Sequence, residues 1–146
     1  MKLLENDGGR KTAGYKSEAG DCVARAIAIT AQLPYQEVYD TLAEGNANQR
    51  RSKHTPKQQR SASNGIFVKR KWFRDYMKSL GFEWVATMQI GSGCKVHLAA
   101  DELPMGRLVV SVSRHYTSVI DGVLNDISDC SRNGKRCVYG YWMLKL

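Results

Sequence analysis

A chain of 146 residues with 42% hydrophobic content is long enough for one domain with its own core. No stretch approaches the roughly eighteen successive apolar residues of a membrane span, and MKLLENDGGRK carries charge with no apolar run of signal-peptide length behind it, so a soluble, cytoplasmic protein with no membrane partner is expected. Twenty-two Lys and Arg against fourteen Asp and Glu give a net charge of +8, which attracts nucleic acid or acidic protein surfaces without choosing between them.

Asp21 is placed to cap a helix that opens at Cys22 and runs CVARAIAITAQL, apolar or small on nearly every side as a buried helix is. Pro34 begins a second helix, PYQEVYDTLAEG, in which Tyr35, Val38, Tyr39, Leu42 and Ala43 recur at helical spacing and Gly45 supplies the stop. From Asn46 to Asn64 no large apolar residue occurs, which predicts a mobile basic loop across about 46–66. A third helix follows, with Val68, Trp72, Phe73, Tyr76, Met77 and Leu80 on one stripe and Gly81 at its end.

Beyond Gly81 the period shortens. FEWVATM, RLVVSVS, HYTSVI, VLNDIS and CVYGYWML are β-branched and aromatic runs separated by turn signals, and they predict an antiparallel sheet. Asp121-Gly122 and Asn133-Gly134 suit two-residue type I′ turns, where both central positions need positive φ. Helices first and strands afterwards define an α+β class: a single domain, 1–146, with N-terminal helices packed on a C-terminal antiparallel sheet.

A two-residue turn at Asp121-Gly122 sets the register of its hairpin. Thr117 then faces Asp126, His115 faces Ser128, and Asp126 lies diagonally beside His115, whereas Asn125 and Asp129 have the wrong parity. A carboxylate there would orient the imidazole and stabilise its protonated form. Cys22 falls in the first turn of its helix, where free N–H groups and the helix dipole favour a thiolate, and Gly20 lets a substrate approach closely. Cys22 is the candidate nucleophile, His115 its general base and acid, and Asp126 the orienting residue.

GDCVARAIAIT, with a cysteine opening a buried helix, followed about ninety residues later by HYTSVIDGVLNDISD on a hairpin, resembles the papain-like cysteine peptidases. The likeness is to small bacterial and phage members related to the bacteriocin-processing peptidases. It implies a papain-like fold and a cysteine protease or thiol hydrolase acting through a thioester. It also implies a protein or peptide substrate, no cofactor, and host cytoplasm if the chain is phage-encoded. Papain-like enzymes usually carry a glutamine before the cysteine as oxyanion donor. Here the stretch from Tyr15 to Glu18 has none, which leaves Lys16 and Ser17 as the oxyanion candidates beside the Cys22 N–H.

The charge pattern supports a second reading. Between Glu44 and Asp75 there is no acid, while Arg50, Arg51, Lys53, Lys57, Arg60, Lys69, Arg70, Lys71 and Arg74 are all basic. A non-catalytic binding protein would use residues 50–74 to engage nucleic acid or an acidic partner. Cys130 and Cys137 would face each other across Asn133-Gly134, and two thiols are expected there in a reducing compartment. Cys94, His97, Cys130 and Cys137 lack close Cys-x-x-Cys spacing, so no metal site is expected, and His54 is read as solvated.

Overall fold

Helix α1 (Cys22–Ala31) is built from small and β-branched residues, and every one of Val23 to Thr30 is buried. The computed structural model describes residues 1–16, 20–50, 60–63 and 65–145. Asp21 does stand at the start of α1, but its carboxylate makes no capping bond. It is taken instead by Arg25 Nε at 3.0 Å, Arg10 Nε at 3.1 Å and the Tyr35 hydroxyl. Two guanidinium groups at a buried carboxylate outcompete backbone N–H donors.

Helix α2 (Tyr35–Asn48) follows Pro34 and buries Tyr35, Val38, Leu42 and Ala43. Gly45 does not end it. A Cβ at Gly45 would lie 2.4 Å from the Trp72 ring, so the glycine serves helix packing rather than termination. Of the expected loop, 46–48 are therefore helical. Tyr39 holds the Ser61 and Ser63 hydroxyls at 3.2 and 2.8 Å, and Ala62 is buried. Residues 51–59 and 64 of that loop lie outside the described residues.

Helix α3 (Lys71–Ser79) starts later than the apolar stripe suggested, because a turn closes first with Arg70 N–H bonded to the Phe67 carbonyl at 3.0 Å. Phe73 and Met77 are its buried residues, and Gly81 at φ 96° follows its end as expected.

Six strands form one sheet: β1 (Leu3–Glu5), β2 (Phe82–Ala86), β3 (Arg107–Val112), β4 (His115–Ile120), β5 (Val123–Asp126) and β6 (Val138–Leu144), in the order β1-β5-β4-β3-β6-β2. The sheet is mixed rather than antiparallel throughout. Strand β1 lies parallel to β5, with Leu3 opposite Leu124 and Glu5 opposite Asp126. Three residues are too few to show a strand period, and β1 owes its conformation to the β5 edge it covers.

Alternation along the strands separates two cores. Val109, Tyr116 and Trp142 join Ile27, Val38, Leu42, Phe73 and Met77 on the helical side. Leu108, Val110, Val112, Val119 and Leu124 face the other way, where Leu98 and Leu103 cover them. Helix α1 packs on β4 across the first interface. The chain is thus an α+β protein with helices on one face of a mixed sheet. No helix among the described residues is long and apolar enough to cross a membrane.

Candidate active site

Two tight turns bring the site together. Ser113-Arg114 reverses the chain between β3 and β4, with Arg114 at φ 56°, so His115 is the first residue of β4. Asp121 at φ 48° and Gly122 at φ 79° form the expected hairpin turn, and the register that follows pairs Ser118 with Asn125 and Val119 with Leu124. Strand β5 ends at Asp126, so the pairing of His115 with Ser128 does not form. The diagonal does: His115 Nε2 lies 2.8 Å from Asp126 Oδ2, and Thr117 Oγ1 donates to the same oxygen at 2.7 Å.

Cys22 meets this pair from the start of α1. Cys22 and His115 line the same two cavities. Burial by itself would push the Cys22 thiol up, but the neighbouring His115 side chain, the Tyr116 backbone N–H and the charge of Arg25 outweigh it and hold the thiol below its ordinary value. His115 moves the other way. Burial disfavours its cation, yet hydrogen bonds with Asp126, Cys130 and Cys22 push it up to about 11. Asp126, despite burial, is held below its usual range by His115 and Thr117. The Cys22 and His115 shifts run in opposite directions, the first downward and the second upward.

Arg25 is the residue that the sequence reading missed. Its Nη1 donates to Asp126 Oδ1 at 3.0 Å while its Nε reaches Asp21, and its side chain is 4% exposed. It stands one turn after Cys22, so a single guanidinium couples the helix of Cys22 to the carboxylate behind His115. The signal was present: one arginine inside the apolar run CVARAIAIT must be buried, and a buried charge needs a partner.

Cys130 is the second addition. It does not face Cys137. Its Sγ lies 3.8 Å from Asp126 Oδ2, and Cys137 instead forms a disulfide with Cys94, with 5.8 Å between Cα atoms. The Asn133-Gly134 turn is present, with Arg136 N–H bonded to the Ser131 carbonyl, but the chain parts beyond that pair. Residue 137 bridges His97 instead. His115, Asp126 and Cys130 offer ligand atoms within 4.8 Å of one another. A cation there would have to displace donors that already fill both Asp126 oxygens, from Arg25, Ile127 N–H, His115 and Thr117, and it would sit beside a fixed positive charge.

The other candidates disperse. Lys16 is exposed and lines neither cavity beside Cys22, while Gly20 lines one of them; Ser17 lies outside the described residues. Of the basic set, Arg51, Lys53, Lys57 and His54 lie outside the described residues. Lys71 is engaged by Asp75 at 2.6 Å, and Arg74 stacks over the Trp142 ring at 5.4 Å. Arg50 and Lys69 are exposed.

Compared with known proteins, the chain matches no family model, no curated protein and no solved structure.

Proposed function

We propose that the chain is a cysteine-dependent hydrolase of papain-like kind, cleaving an amide, isopeptide or related acyl bond through a thioester on Cys22. One observation supports the reading: Cys22, at the start of α1, lines the same two cavities as His115, whose ring is hydrogen-bonded to Asp126. The thiolate attacks the carbonyl carbon, and the S–C bond forms as the C–O π pair moves onto oxygen. The His115 imidazolium gives its proton to the leaving amine as the C–N bond breaks. Neutral His115 then takes a proton from water, whose oxygen displaces the sulfur. Carboxylate product and resting pair are regenerated. Free N–H groups in the first turn of α1 supply the oxyanion donors that no glutamine provides here.

The reading as a non-catalytic basic binding protein through 50–74 has less to support it, since Lys71 is already paired with Asp75. Iodoacetamide decides between them. At about pH 6 an ordinary thiol is almost wholly protonated, so Cys22 should alkylate at least about tenfold faster than free glutathione and slow by a similar factor in His115→Ala. A rate no faster than that of glutathione, unaffected by His115→Ala, would sink the proposal.

A further inference from the structure

Two cavities meet at Cys22 and His115, and a third adjoins one of them. One of about 460 Å³ opens on the pair and is walled by Ile66, Val68, Tyr116 and Tyr139. It continues into a second of about 560 Å³ under Trp84, Met88, Ile90 and Trp142, the two sharing Val68, Lys69, Ser111, Tyr116 and Tyr139. On the other side of the thiol a more polar cavity is lined by Ser63, Arg114 and Ser128. The result is a groove that crosses the thiol, apolar along one arm and polar along the other.

The apolar arm is built by packing. Trp84 lies against Gly140, where any Cβ would come within 2.4 Å of the ring, so the indole lies flat against the sheet. Ile90 is fully exposed at the rim, and Tyr139 is exposed beside it. Large apolar groups standing in solvent along a concave surface mark a binding face. Its charge is one-sided. Lys69 and Arg74 line the apolar arm, Arg114 stands where the arms meet, and no carboxylate lines any of the three cavities among the described residues. None of these three cations has a carboxylate partner among the described residues.

We infer that the groove binds an acidic polypeptide segment, seating an apolar side chain against Val68, Trp84 and Met88 while carboxylates of the same segment meet Lys69, Arg74 and Arg114. The inference rests on the hydrolase reading and names its substrate class. Charge complementarity selects the acid, and an aliphatic and aromatic trough ending at a nucleophile selects a peptide over a phosphate backbone, which needs a longer run of cations.

Protection of Cys22 tests it. The rate of iodoacetamide alkylation is measured alone and with an acetylated, amidated hexapeptide alternating leucine and glutamate, or leucine and lysine. The glutamate peptide should slow alkylation saturably, the lysine peptide should not, and Lys69→Glu with Arg74→Glu should weaken the glutamate peptide's protection by about fivefold. Lys69→Glu alone, at an exposed position, carries the test if the double variant misfolds. Equal protection by both peptides, a preference that survives charge reversal, or stronger protection by a single-stranded oligonucleotide would overturn the assignment. Failure of the hydrolase reading is separate: it shows as alkylation without peptide that ignores His115→Ala.

Discussion

Four donors meet at the Asp126 carboxylate. Its Oδ1 takes Arg25 and the Ile127 N–H, and its Oδ2 takes His115 and Thr117. Asp126→Asn keeps the shape but removes the charge, leaving Arg25 and the His115 cation short of an anion in a buried place. Equilibrium denaturation in urea should show a loss of about 3 kcal/mol at neutral pH. The sign with pH follows from the lowered Asp126 pKa. That group's stabilisation is present above the ordinary carboxylate pKa and is lost as pH falls through the folded value. The gap between wild type and Asp126→Asn should therefore begin to narrow below about pH 4. Reactivity at Cys22 has its own window. The lowered thiol sets the acid limb, so that limb of Cys22 alkylation should move upward in His115→Ala. Arg25→Lys preserves the charge but cannot fork to Asp21 and Asp126 together. It should slow alkylation of Cys22 and shift the same limb, a change that loss of packing alone would not produce.

At the scale of elements, the hairpin of β4 and β5 was legible because a two-residue turn with two positive φ values dictates register, and register dictates which side chains share a face. Helix α1 was legible from its unbroken apolar run, and the start of α2 from Pro34. Helix ends read less well, since glycine has two meanings. At Gly81 it takes a left-handed φ after a helix; at Gly45 it clears space inside one. Only the neighbouring Trp72, from α3, distinguishes them. Gly45→Ala would ordinarily stabilise a helix by up to about 1 kcal/mol. Here the new methyl meets a rigid indole, and thermal unfolding should instead show a loss of about 1 to 3 kcal/mol. A rise in melting temperature would mean that Trp72 moves aside freely.

Across the whole molecule, the Cys94–Cys137 disulfide ties the segment after β2 to the start of β6 over a separation of 43 residues. When both cysteines are oxidised, adding reductant should lower stability by about 2 to 4 kcal/mol, and Cys94→Ser should match the reduced protein and ignore reductant. An unchanged unfolding curve would show that the cross-link bears no load. Strand β1 makes the same point without covalency, since three residues at the start of the chain gain strand structure only from the edge of β5. What the sequence determined by itself was whatever short-range periodicity and turn chemistry encode: the α+β class, the run of the strands, and the parity that sets His115 beside Asp126. Tertiary structure alone decided the arrival of Cys22 at that pair, the bridging by Arg25, the place of Cys130, the partner of Cys137 and the parallel edge. Each of these joins residues distant along the chain, and packing two cores against one sheet, rather than any local preference, chooses which of them meet.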